Sequence, residues 1–257
     1  TITPGARPNG MGEAFTALAN DGTALYWNPA GLTELEEREF SATYNSWFEE
    51  ISQGYLGLIF PSLRGTFGFG INYMDMGKIE GRDEAGNPTG DFGASDIYLS
   101  AGYANKFKNI SWGITAGWLK DKIEKDTETT FLGNIGFLYP VSDRLTLWAV
   151  AQNIGSELGS DPLPLTFKVG AASKLKALTL ALDIAKLQDI DIYYCIGVEW
   201  WLRDVVALRV GYKTNQDIGQ GLTAGLGYKF GRICLDYAYV PYGDLGDTHR
   251  ISLGMKF

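Results

Sequence analysis

Residues 221–230, GLTAGLGYKF, place Leu222, Ala224, Leu226, Tyr228 and Phe230 on one face of an extended chain and Thr223, Gly225, Gly227 and Lys229 on the other, because side chains along a strand alternate with a period of two. The segments that follow repeat the device. Ile233, Leu235, Tyr237 and Tyr239 oppose Cys234, Asp236 and Ala238, and Ile251, Leu253, Met255 and Phe257 oppose Arg250, Ser252, Gly254 and Lys256. Earlier examples are Phe67, Phe69, Ile71 and Tyr73; Trp112, Ile114, Ala116 and Trp118; and Leu178, Leu180, Leu182 and Ile184. About fourteen such segments, each roughly 8 to 13 residues long, follow Arg38. A soluble sandwich or barrel would turn its charged face outward and its bulky apolar face inward. Here the second face is small and polar, a poor core. The pattern predicts an all-β chain folded as a transmembrane antiparallel β-barrel of about 14 strands whose greasy face meets lipid. Segment length agrees, since a tilted strand needs about 9–11 residues to cross a bilayer, against about 5–6 in soluble sheets.

The connections alternate in length. Tight turns are expected at 61–63, 108–109, 174–176, 203–204 and 231–232, and longer polar connections at 77–94, 122–128, 155–162, 187–191, 214–219 and 241–248. Outer-membrane barrels have short periplasmic turns and longer outer loops. An even strand number then puts both termini on the short-turn, periplasmic side of a bacterial outer membrane. Composition supports this with 33 Gly beside 14 Tyr, 13 Phe and 7 Trp, small residues for tight curvature and aromatics for interfacial girdles. The longest nearly uncharged apolar run, 192–202, falls short of the roughly 18 residues of a spanning helix. The opening at Thr1, without a charged and then apolar leader, fits a mature exported chain.

Several functions are disfavoured. The net charge of −8 is dispersed over short loops with no basic block, so nucleic acid is not an expected partner. His249 is the one histidine, and Cys195 and Cys234 lie in separate strand-like segments, without metal or thiol-redox spacing. They read as small wall residues, with a disulfide left open. No cofactor, metal or catalytic set is expected, and the chain does not read as an enzyme. Alternation directs Lys168, Asp183, Glu199, Arg209, Asp236 and Arg250 into the lumen, where ions of both signs must find partners. Their expected role is a polar network that fills or stiffens the interior; a permeation path is the sharper alternative.

Residues 1–37 precede the wall of 38–257 and differ from it. Met11, Phe15 and Leu18 fall at i, i+4 and i+7, predicting a short helix with one apolar stripe, stopped by Asn20-Asp21-Gly22. So short a helix is marginal alone in water, and the barrel interior is the nearest surface for it, a periplasmic resting place being the alternative. Asn28-Pro29-Ala30 resembles half of an aquaporin motif, but it occurs once and no apolar helices surround it. It reads instead as a Pro-stiffened turn in which Asn28 satisfies nearby backbone groups.

Residues 5–32, GARPNGMGEAFTALANDGTALYWNPAGL, resemble the N-terminal segment of the PorV/PorQ family of outer-membrane proteins, which sits with the FadL-like (OMPP1/FadL/TodX) barrels. Residues 197–230 and 235–257 are similar too, and AQNIG at 151–155 extends the likeness into the middle. The resemblance implies a fourteen-stranded barrel with the N-terminal segment folded into the lumen as a hatch or plug. It also implies that Ile251, Leu253, Met255 and Phe257 form the C-terminal signal read by the outer-membrane assembly machinery. FadL-like members pass hydrophobic small molecules from long outer loops around the hatch; PorV-like members hold or deliver proteins at the cell surface in type IX secretion. Here the longest outer connection, 77–94, is charged and Gly-rich, with Phe92 its one aromatic, poor material for a hydrophobic capture groove. The leading expectation is therefore a plugged barrel that binds or scaffolds protein partners at its outer rim. A FadL-like passive transporter of hydrophobic small molecules and a purely structural barrel are the alternatives. Outer-membrane lipid and lipopolysaccharide are the expected surroundings.

Overall fold

The computed structural model describes residues 2–48, 50–188, 190–215 and 219–257. Thr1 lies outside them, as do parts of the expected connections at 187–191 and 214–219. The strands are β1 (Glu39–Ser46), β2 (Ser52–Ser62), β3 (Gly65–Arg82), β4 (Pro88–Phe107), β5 (Ile110–Ile123), β6 (Asp126–Pro140), β7 (Leu145–Gly155), β8 (Glu157–Leu158), β9 (Asp161–Pro162), β10 (Thr166–Leu175), β11 (Leu178–Leu187), β12 (Tyr193–Leu202), β13 (Val206–Lys213), β14 (Leu222–Phe230), β15 (Ile233–Pro241) and β16 (Asp247–Lys256). Fourteen of them close into one antiparallel barrel in sequence order, while β8 and β9 form a small separate hairpin. The seam joins β1 to β16, with Glu39 opposite Lys256 and Ser46 opposite His249. Closure leaves the barrel with no open edge, the condition for a sheet to cross hydrocarbon.

Alternation does in space what it promised in sequence. Along β13, Leu208, Val210 and Tyr212 are exposed while Ala207, Arg209 and Gly211 are buried. Every barrel strand contributes large apolar side chains to the exterior, among them Phe67, Phe69, Phe131, Val169, Leu226 and Ile251. No helix among the described residues is long and apolar enough to cross a membrane; the strands do so.

The outer connections differ from expectation. Residues 77–94 are not a loop: β3 and β4 stay paired to Gly81 and Gly90, with Lys78 opposite Gly93 and Ile79 opposite Phe92, and only 83–87 turn. Likewise β5 and β6 pair up to Ile123 and Asp126, so the expected loop at 122–128 shrinks to two residues. Outside the hydrocarbon the backbone still satisfies itself by pairing, but neither face needs to be apolar, and the period-two signal fades where the strand continues. A sixth short turn, at 141–144, completes the set on the other side.

The lumen is filled by the N-terminal segment. It has helical turns α1 (Ala6–Gly10) and α2 (Ala24–Trp27) and a 3-10 turn over Pro29–Glu34. The expected helix through Met11, Phe15 and Leu18 does not form; 11–18 is a run of tight turns, with Leu18 N–H donating to the Phe15 carbonyl and Gly12 and Glu13 at φ +62° and +67°. Wall groups outbid the helix for its backbone: Phe15 and Thr16 N–H donate to Asp183 Oδ2 and Gly12 N–H to Thr223 Oγ1. The stripe is nonetheless used. Met11, Phe15, Leu18, Leu25, Trp27 and Leu32 are buried in one cluster, each full burial contributing about 1.5–3 kcal/mol.

Candidate functional site

The hatch is seated by ionic contacts at two levels, with Asp183 holding its backbone. Near the short-turn end, Arg7 reaches from α1 to Glu199 on β12 in a two-pronged pair, Nε to Oε2 at 2.8 Å and Nη2 to Oε1 at 2.9 Å. Glu199 also accepts from Arg209 Nε at 2.7 Å, and Arg209 Nη1 donates to Asp236 Oδ1 at 2.6 Å. Arg7 Nη1 turns back to Asn20 Oδ1 at 2.7 Å. Two guanidinium groups thus alternate with two carboxylates across β12, β13 and β15, the planar bidentate geometry for which arginine is suited. Glu199 and Arg209 are each 2% exposed, so every charge in the row depends on its neighbour.

Nearer the outer end, Glu13 pairs with Lys213 on β13 at 2.7 Å. Burial opposes the charge on Glu13, yet Lys213 and Lys168 outweigh it and hold its carboxyl down at about 2. Asp183 accepts from Phe15 N–H, Thr16 N–H and Thr16 Oγ1, the last at 2.7 Å. Lys168 sits 5.1 Å above the Trp27 ring, a cation–π contact, and Arg250 lies 3.5 Å from Thr3 Oγ1. All six lumen ions anticipated from alternation are therefore buried and face inward, but only Glu199, Arg209 and Asp236 meet one another. The other three serve the hatch.

The Asn28-Pro29-Ala30 turn is pinned as its residue types allow: Asn28 Oδ1 accepts from Ala30 N–H at 3.1 Å, its Nδ2 donates to the Thr16 carbonyl, and Pro29 opens the 3-10 turn. Lumen glycines make room. A Cβ on Gly136 would overlap Asn28 Oδ1, and one on Gly211 would overlap the backbone of Met11 and Gly12. Ile251, Met255 and Phe257 are exposed on the exterior and Leu253 is half-buried there. Both cysteines are free.

Arg7, Glu13 and Lys213 were missed in the sequence. Lys213 shares the inward parity of Arg209 and Gly211, which could have found it; Arg7 carried only the hint that a charge within an apolar plug needs a partner. Below the hatch, toward the short turns, lie cavities of about 370 Å³ and 550 Å³. The first is half-open, walled by Pro8, Leu18 and Trp201 together with the ions Arg7, Glu199 and Asp236, and rimmed by lysines such as Lys229 and Lys256. On the outer side, the space between Tyr26, Asn72 and Gln152 is about 40 Å³.

No family model matches this chain, and no curated protein does. Solved structures do. The Ralstonia pickettii toluene transporter TbuX superposes with a TM-score of 0.74 at 16% identity, covering 99% of this chain and 98% of that one. The Pseudomonas putida toluene transporter TodX gives 0.68 at 13%, covering 93% and 95%. A Pseudomonas aeruginosa FadL homologue gives 0.70 at 12%, covering 100% and 99%. The fold is that of the FadL-like outer-membrane barrels. With its closed wall and apolar belt, the chain belongs in the bacterial outer membrane.

Proposed function

We propose that this barrel is a passive channel for small hydrophobic compounds, gated by its hatch, and that it performs no catalysis. The reading reverses the order of preference that the sequence suggested. What carries it is the cavity of about 370 Å³ directly beneath the Arg7–Glu199 pair, in a fold shared with two toluene transporters. A closed apolar cavity of roughly 150 Å³ suffices for benzene; this one is larger, half-open and partly ionic, which suits a passage for a monoaromatic compound better than a tight binding site. The hatch is held by an apolar cluster and by a limited set of ionic contacts, and on this reading the ionic set, which a moving segment can re-pair, is what a gate would work through. Labelled toluene should enter vesicles with a lipopolysaccharide outer leaflet faster when they contain the protein, and faster still with Glu199→Ala. Entry no faster than in protein-free vesicles, from either form, would overturn the reading.

A second reading, a PorV/PorQ-like scaffold for protein partners in a type IX secretion-type assembly, is favoured by the outer rim. There Trp47, Phe48 and Tyr242 cluster with centroids 5.0–5.9 Å apart, and the β3–β4 hairpin projects as a paired ribbon. Co-purification from native membranes tests it; recovery of the barrel alone under every mild detergent counts against it and leaves a purely structural role.

A further inference from the structure

Each of the six short turns carries a basic residue: Arg64, Lys108, Arg144, Lys176, Arg203 and Arg232. Asp143 and Asp204 are the only acids among them. The seven outer connections have the opposite character, with eleven acidic residues against Lys125 alone. The protein is thus polarised along the membrane normal, although its net charge of −8 gives no hint of a basic end.

Three observations argue that the basic end is a binding surface. The first is position. An exposed apolar residue borders each turn, as in Leu63-Arg64, Phe107-Lys108, Leu175-Lys176 and Leu202-Arg203, with Phe230 two residues before Arg232. Those apolar side chains mark the hydrocarbon edge, so the cations lie just beyond it, at the depth of lipid headgroups; Arg64 and Arg203 stand clear of the lumen, while Lys108, Arg144, Lys176 and Arg232 also border the openings beneath the hatch. The second is availability. All six are exposed, and among the described residues Arg232 alone forms an ion pair, with Glu37 at 3.2 Å. The third is backbone conformation. Lys108, Lys176 and Arg203 adopt φ of +54°, +58° and +52°, a region that Gly, Asn or Asp occupies at less strain in a tight hairpin. Glu50 and Glu124 in the outer connections take the same conformation, at φ +62° and +54°, so each end of the barrel presents its own sign of charge at the tips of its turns.

We propose that the short-turn rim binds the phosphate groups of anionic glycerophospholipids in the inner leaflet, fixing the depth and orientation of the barrel. The inference is independent of what the channel carries. Attraction of exposed cations to an anionic lipid surface is additive over a cluster and screened by salt.

The test is reconstitution in equal parts phosphatidylcholine and phosphatidylglycerol, mild extraction, and mass-spectrometric measurement of the lipid retained. Phosphatidylglycerol should be enriched at low salt, and the enrichment should fall at least about tenfold in the variant Lys108→Glu/Lys176→Glu/Arg203→Glu. Lys120→Glu/Lys122→Glu/Lys125→Glu, at the outer end, should retain it as the parent does. Equal retention of the two lipids, or the same loss in both variants, would overturn the proposal. So would displacement of the lipid by inorganic phosphate beyond that caused by chloride at equal ionic strength, which would indicate a free-anion site. If the inner-rim variant does not reach the folded, heat-modifiable form, the salt dependence of the unmodified protein decides: enrichment that persists in molar salt refutes the proposal.

Discussion

Glu199 is the residue on which the hatch seat turns. It holds Arg7 and Arg209 at once, and Arg209 passes the contact on to Asp236. Removing the carboxylate leaves two guanidinium groups in a low-dielectric interior, at a cost of about 3–5 kcal/mol. Glu199→Ala should therefore lower the midpoint of heat-modifiable unfolding clearly, and Glu199→Gln, which keeps an acceptor, should lower it less. Asp183→Ala strands Thr16 N–H and the Thr16 hydroxyl and leaves Phe15 N–H only the Glu13 carbonyl, and about 1–3 kcal/mol per unsatisfied group sets the scale; amide exchange at Thr16 reads it directly. The inward direction of Glu199, Arg209 and Asp236 was legible because parity along a strand is unambiguous once one face is apolar. Their partner Arg7 was not, because no periodicity relates a residue in a turn-rich segment to a strand nearly two hundred positions away.

Among the elements, the hatch and the glycines opposite it form one fit. Gly211→Ala would press a methyl group into the backbone of Met11 and Gly12. It should leave the barrel closed but raise cleavage after Glu13 by a glutamyl endopeptidase. The Glu13–Lys213 contact has a pH signature. The folded pKa, about 2, lies below the ordinary 4.5, so the stability it contributes is fully present above about 4.5 and is lost as pH falls through 2. Amide protection across 8–18, taken relative to the intrinsic exchange rate at each pH, should be flat from pH 7 to 5 and should fall between 4.5 and 2; a fall centred near neutrality would assign the contact elsewhere. The strands themselves were readable wherever lipid demanded an apolar face. They ceased to be readable where β3 and β4 leave the membrane, since pairing persists there without patterning. The hatch helix misled for a related reason: Met11, Phe15 and Leu18 record burial at helical spacing, but a wall rich in acceptors can bury the same residues in turns.

For the molecule as a whole, the hatch and the seam are coupled. Ala6 N–H donates to Ser252 Oγ on β16 at 2.7 Å, Gly22 N–H donates to Glu39 Oε1 on β1 at 2.7 Å, and β1 and β16 are the two strands that close the barrel. A chain lacking residues 1–37 should still contain every wall strand, yet fold more slowly and to lower yield in vesicles, measured as the time course of heat-modifiable migration. Folding at the parent rate would separate the plug from closure. The architecture was foreseeable because fourteen patterned segments admit few arrangements; the choice between gate and scaffold was not, since it depends on the shape of empty space under the hatch, which no local pattern encodes. The seam contacts also impose an order of events. With Ala6 bonded to β16 and Gly22 to β1, closing the seam and seating the hatch are one event, so the hatch is in place as the last strand arrives and the wall closes around it.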